Sequence, residues 1–188
     1  MKARKVKEIM IPLSEYATVS EEATLYDAVK SLYNAQNNFE KEQYRHRAIL
    51  VYDKNNRITG KISAIDIVRA IEPKYRQFEQ SDQNRDIGLS RFGLSSAFLN
   101  SLVKQYDLWD EKIEKLIAKA EKQKVRDIMY TPYEGEFVQE DSSLAEAIHQ
   151  LLIGHHQSLL VLQKNQITGI LRLTDIFKNI CDLLLATK

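Results

Sequence analysis

Cysteine is almost missing from this chain. Cys181 stands alone, so no internal disulfide can form; that fits a reducing compartment and excludes a disulfide-stapled scaffold. Glycine and proline are also scarce, six and three among 188 residues, and they are scattered. No glycine-rich phosphate loop of the Walker or dinucleotide kind is present, and so few turn-formers point to a chain rich in regular structure. Neither charge sign dominates: 27 Lys and Arg against 26 Asp and Glu leave a net charge of +1. There is no overall field with which to grip nucleic acid or an anionic membrane. No apolar run approaches the ~18 residues of a membrane span. The opening MKARKVKEIMIP is basic but never develops the apolar centre of a secretory signal. A soluble cytoplasmic protein is expected, with neither nucleic acid nor membrane as a partner. The rest of the composition, 44% apolar and 28% charged, excludes intrinsic disorder. The length allows one domain, or two small units sharing a core.

The positive signal is an internal repeat. KVKEIM at Lys5–Met10 returns as KVRDIM at Lys124–Met129, an offset of 119. Thr18-Val19-Ser20, followed by Leu25, Ala28, Val29 and Leu32, returns at the same offset as Phe137-Val138-Gln139, then Leu144, Ala147, Ile148 and Leu151. HRAILV at His46–Val51 returns as HQSLLV at 110, and ITG at Ile58–Gly60 returns as ITG at 109. Asp66-Ile67 returns as Asp175-Ile176. So many blocks in one order identify a tandem duplication, with the first copy longer at Asn34–Arg45 and at Asn56.

Each copy has the same local pattern. Leu25, Ala28, Val29 and Leu32 fall on one face of an amphipathic helix, with Ser20 placed to cap it and Glu21-Glu22 suited to its positive end. Ala48–Tyr52 and Ile58–Ser63 read as strands around an Asp53–Asn56 turn, and Ile65, Val68 and Ile71 mark a second helix that Pro73 helps to stop. The second copy predicts a helix over Leu144–Ile153, strands over Ser158–Leu162 and Ile167–Arg172, and a helix over Asp175–Leu185. Neither copy buries its sheet well alone, so two should share a core. The expected fold is α/β: two β-α-β-β-α-like units, 1–73 and 124–188, related by pseudo-twofold symmetry, with a helical insert at 74–123. Within the insert Ser81–Gly93 is polar and loop-like. Leu99, Leu102, Val103 and Tyr106, then Trp109, Ile113, Leu116 and Ala120, mark two amphipathic helices or one kinked helix, with Glu111 and Lys115 as an i, i+4 pair. The insert either closes over the core or forms a docking surface for a partner.

Catalytic motifs do not emerge. His149, His155 and His156 match no metal-site spacing, so no metal is expected. There is no G-x-S-x-G elbow and no Cys–His pair at a recognisable spacing, and Glu140-Asp141 reads as a helix start. An enzyme is not expected.

The quoted blocks resemble the cystathionine-β-synthase (CBS) domain. The first copy supplies VKEIM, TVSEEATL, HRAILVYD and GKISAIDI; the second supplies VRDIM, FVQEDSSL, HQSLLVL and GILRLTDI. The resemblance covers all but the insert. It implies a paired module that takes adenosyl ligands, an adenine nucleotide (AMP, ADP or ATP) foremost, in clefts between the repeats, as a regulatory ligand rather than a required cofactor. It also implies homodimers formed through the repeat helices, and a regulated protein partner reached through the insert. A ligand-free dimerisation or interaction scaffold is the alternative.

Asp66 is the leading candidate contact, since a carboxylate offers two acceptors to the vicinal hydroxyls of a ribose. Ser63-x-x-Asp66 is equally a helix-capping signature, and a helix start also favours phosphate. His46 and Arg47 open the middle strand, where the resemblance assigns a basic pair to nucleotide phosphates; Arg stays charged and reads phosphate with two donors. By position in the family pattern, Thr18, Val19, Ala48 and Ile62 are walls for the base. The second site departs from this. His156-Gln157 lacks the fixed charge, and Arg172 stands where Ser or Thr is usual, able to reach a phosphate or to fill the cleft. Asp175 is kept, Thr174 offers a hydroxyl, and Val138, Ser158 and Leu171 are the wall counterparts. The two clefts are therefore expected to be unequal, the first favoured for a phosphorylated ligand.

Overall fold

A computed structural model describes residues 4–37, 47–75 and 95–186. His46 and the expected loop at Ser81–Gly93 lie outside these residues. The chain begins with β1 (Ile11–Pro12), then runs through β2 (Thr18–Ser20), α1 (Leu25–Asn37), β3 (Ala48–Tyr52), β4 (Ile58–Ser63) and α2 (Ala64–Ile71). The insert supplies α3 (Ser96–Gln105) and α4 (Ile113–Ala120). The second repeat has the one-turn α5 (Val125–Ile128), β5 (Phe137–Gln139), α6 (Leu144–Ile153), β6 (Ser158–Gln163), β7 (Gln166–Arg172) and α7 (Leu173–Ala186). Among the described residues no helix is long and apolar enough to cross a membrane.

The repeats form one sheet each, in the orders β2-β3-β4 and β1-β7-β6-β5. In both, the central strand pairs parallel with its short neighbour and antiparallel with its hairpin partner. The side-chain alternation of the central strands explains the layers. Ile49 and Val51 enter one core beneath α1 and α2, and Leu159 and Val161 enter the corresponding core of the second repeat. Leu50 and Leu160 point the other way and meet Tyr16 and Ile170 in a third cluster between the sheets. Strands covered on both faces must be apolar throughout, as Ile49, Leu50 and Val51 are. A register shift at Val51/Tyr52, matched at Val161/Leu162, lets Ile58 and Ile167 face the shared cluster while Ile62 and Leu171 face the repeat cores.

The leading motifs are exchanged. Val6, Ile9 and Met10 pack in the core of the second repeat, and Val125, Ile128 and Met129 pack in that of the first. Backbone bonds fix the exchange symmetrically. Val6 N–H donates to Ser142 and Lys7 N–H to Glu140, as Val125 N–H donates to Ala23 and Arg126 N–H to Glu21, all at 2.9–3.1 Å. β1 then pairs with β7, while Tyr130 bridges Lys61 on β4. Two glycines admit these crossings. A Cβ on Gly169 would stand 2.4 Å from the Ile11 carbonyl oxygen, and one on Gly60 would stand 2.9 Å from that of Tyr130.

Two local expectations are corrected. α1 is capped by Thr24 and not Ser20: Thr24 N–H and Oγ1 donate to Asp27, whose N–H returns to Thr24 Oγ1. Ser20 Oγ instead accepts from Glu22 N–H, because a turn separates β2 from the helix. Glu111 pairs with Lys119 rather than Lys115, since Glu111 precedes α4 and is not on its i, i+4 ladder. Among its described residues the insert has two helices, one of the two expected arrangements, and Leu102, Leu116 and Ala120 are the buried residues of those helices.

Candidate functional site

The first cleft forms where α2 of one repeat meets the exchanged motif of the other. Asp66, Arg69 and Ala70 line one side and Asp127, Ile128, Met129 and Tyr130 the other, around a cavity of about 170 Å³. Ser63 caps α2 through a reciprocal box: Ser63 Oγ accepts from Asp66 N–H, and Asp66 Oδ2 accepts from Ser63 N–H at 2.8 Å. Ser63 Oγ–H also donates to Asp66 Oδ2 in the hydroxyl orientation this geometry allows. Asp66 Oδ1 meets Arg69 only at 3.7 Å, beyond hydrogen-bond length. Capping thus engages Oδ2, while Oδ1 keeps only the longer ion pair with Arg69, and both residues line the cleft. The Arg47 carbonyl accepts from Ala64 N–H at 3.2 Å, which ties that exposed arginine to the start of the same helix.

Beside the cleft lies a polar cluster that joins the repeats. Lys61 on β4 pairs with Glu136, and Tyr130 OH donates to the same carboxylate. The Lys61 ammonium also sits 5.0 Å from the Tyr130 ring centroid, within cation–π range. Burial alone would raise the Glu136 carboxyl, but the Lys61 and Tyr130 bonds outweigh it and hold the group below its usual range. Burial, then the Glu136 bond, pushes the Tyr130 phenol upward. Sequence reasoning missed Lys61, Tyr130 and Glu136. Their signal was available: Lys61 and Glu136 are charges where the repeat counterparts, Ile170 and Ala17, are apolar.

The second cleft is the pseudo-symmetric counterpart, about 280 Å³, and its lining includes Glu8 to Pro12, Glu15, Arg172, Asp175, Lys178, Asn179 and Asp182. Arg172 occupies the position of Ser63. Its guanidinium forks onto Asp175, Nε to Oδ2 at 2.7 Å and Nη2 to Oδ1 at 2.5 Å, and its backbone N–H reaches Oδ2 at 3.2 Å. Arg172 is only 7% exposed. Asn179 Oδ1 is buried with no hydrogen-bond partner among the described residues.

The expected base walls are placed differently. Val19 and Ile62 lie in the core of the first repeat, and Val138 and Leu171 in that of the second, so none is among the cavity linings. Ala48 is half-buried and its carbonyl accepts from Tyr16 OH; Thr18 is exposed and its carbonyl accepts from Ser31. Ser158 pairs with Arg172 across the β6–β7 ladder, and Thr174 sits half-buried in the first turn of α7. Among the described residues no group of three or more His, Cys, Asp or Glu side chains is arranged to hold a metal.

Two repeated units, exchanged leading motifs and a cleft beside each α2-like helix define a duplicated α/β module. The chain belongs to the CBS domain family, whose sequence profile matches residues 6–73 and 125–182, about two-thirds of its length. A comparison with curated protein sequences found no match. Solved structures share the fold. CBSX2 in complex with AMP is 18% identical, with 95% of this chain and 97% of that one covered and a TM-score of 0.58. A CBS domain-containing protein from Bacillus anthracis is 20% identical over 95% and 94% of the two chains, with a TM-score of 0.61. The CBS domain of a bacterial CNNM/CorC family Mg2+ transporter in complex with ATP is 19% identical over 94% and 87%, at 0.57.

Proposed function

We propose that this protein is a cytoplasmic regulatory module that binds an adenine nucleotide in the first cleft and passes its occupancy to a partner, with no catalysis of its own. The observation that carries the reading is Asp66: a cleft-lining carboxylate fixed at a helix start, with Oδ2 used by the cap and Oδ1 held only by a 3.7 Å ion pair with Arg69. A ribose diol suits a carboxylate at this place, and exposed Arg47, tied to the start of α2, suits a phosphate. Structural relatives bound to AMP and to ATP support the ligand class. Occupancy would reach the partner through the insert or through a homodimer face.

A ligand-free scaffold is the second reading, favoured by the forked Arg172–Asp175 pair that engages the second carboxylate. Calorimetry separates the two. AMP should bind, and Asp66→Ala should weaken it by roughly 10–100-fold, the equivalent of losing one hydrogen bond to a charged group. Arg47→Ala should weaken AMP much more than adenosine, because its part is charge pairing. No heat with AMP, ADP or ATP, or unchanged affinity in folded Asp66→Ala, would sink the assignment.

A further inference from the structure

We infer that Arg172 is the specificity-determining residue of the second cleft, a built-in occupant that closes it to adenosine, so that the chain binds one nucleotide and not two. This rests on the nucleotide reading of the first cleft. The repeat offset makes Ser63 and Arg172 equivalent, as it does Asp66 and Asp175. In the first repeat the short serine satisfies Oδ2 of Asp66, and Oδ1 has only the 3.7 Å ion pair with Arg69. In the second, the guanidinium takes both oxygens of Asp175 in a planar fork, the geometry in which Arg and carboxylate match best.

A ribose diol needs those same acceptors. It could take them only by displacing a guanidinium that is 7% exposed and has been withdrawn from water. A cation stripped of its carboxylate inside a protein is strongly disfavoured, so the internal pair outcompetes the neutral hydroxyls. The surroundings add to this. Glu8, Glu15 and Asp182 line the cavity against Lys178, and the strand entry carries Gln157 where the first repeat has Arg47. With Asp175 already neutralised by Arg172, the remaining acidic groups repel a phosphate. The cavity persists, larger than the first, without the chemistry that reads a nucleotide.

The test exchanges the two residues. Arg172→Ser rebuilds the cap of the first repeat and should raise the calorimetric stoichiometry for AMP from one to two per chain, the new site being the weaker. Ser63→Arg should close the first cleft and take the stoichiometry from one to zero. The second variant keeps the test decisive if the first does not fold. Two sites in the unaltered protein, one site in folded Arg172→Ser, or a retained site in folded Ser63→Arg would each overturn the inference while leaving the nucleotide reading intact. No AMP binding by the unaltered protein and by Arg172→Ser alike would overturn both.

Discussion

Tyr16 sits where the two sheets meet, and the duplication has no match for it, since Gly135 stands at the equivalent position. Its hydroxyl donates to the Ala48 carbonyl at 2.9 Å. Burial pushes the phenol up to about 12, with Arg172 opposing and Asp175 adding to the rise. An unfolded tyrosine titrates near pH 10. The folded state therefore holds its proton more tightly, a contribution present below about pH 10 and lost between about 10 and 12. Two units correspond to roughly 3 kcal/mol. Urea midpoints of the unaltered protein should fall over that interval, and those of Tyr16→Phe should fall less, the rest of the decline belonging to the raised Tyr130 phenol; parallel curves would show that Tyr16 is not a titrating group. At this scale the sequence was legible where chemistry is distinctive and not where it is generic. Ser63 and Asp66 were read as both cap and site, and the structure has the cap. Val19 and Ile62 were read as walls of a cleft and lie in a core, because an apolar side chain carries no mark of which apolar surface it meets.

Among the elements, the insert shows how one buried group seats a whole segment. Glu72, 1% exposed at the end of α2, accepts from Trp109 N–H at 2.8 Å and from Lys74 N–H at 3.2 Å. Trp109 holds a positive φ of 59° in the bend between α3 and α4, and its indole N–H donates to Tyr75 OH. Lys74 reaches the Asp107 carbonyl and Asp110, and Gln123 at the far end returns to the Ala70 carbonyl. The insert is thus tied to the helix that lines the first cleft. Glu72→Ala should cost about 1.5–3 kcal/mol, typical of a lost hydrogen bond to a charged group. It should also shift the emission of Trp109, the single tryptophan, toward that of an exposed indole. Unchanged emission and stability would show that Glu72 does not seat the bend. Helical periodicity located α3 and α4. It did not say which residues they bury: Leu99, Val103, Ile113 and Ile117 share the apolar pattern yet remain exposed.

Over the whole molecule, apolar surface remains uncovered on the outer helices. Val29 and Tyr33 on α1, Ile65 and Val68 on α2, and Phe177, Leu183 and Leu184 on α7 are each more than 40% exposed. Exposed apolar area of this kind marks association surfaces, and closed twofold dimers are the commonest assembly of such chains. A homodimer is the expected state, about 44 kDa by light scattering against about 22 kDa for one chain. A monomer at micromolar concentration would refute it. Val68→Glu should dissociate the dimer with little loss of fold, because the side chain is half exposed. Ile113→Glu should do the same only if the insert extends the dimer face.

By itself the sequence determined the duplication, the order of strands and helices within each copy, and the apolar central strands that require cover on both faces. These are local or periodic properties, so they leave a regular trace along the chain. Tertiary structure alone decided that Val6 serves the second repeat and Val125 the first, that Asp127 to Tyr130 line the first cleft together with Asp66, and that Val19 and Ile62 lie in a core. It also brought the Arg172 guanidinium onto the Asp175 carboxylate. Each of these is a choice of partner among chemically adequate candidates. Partner choice depends on distance in space, and separation along the chain does not record it.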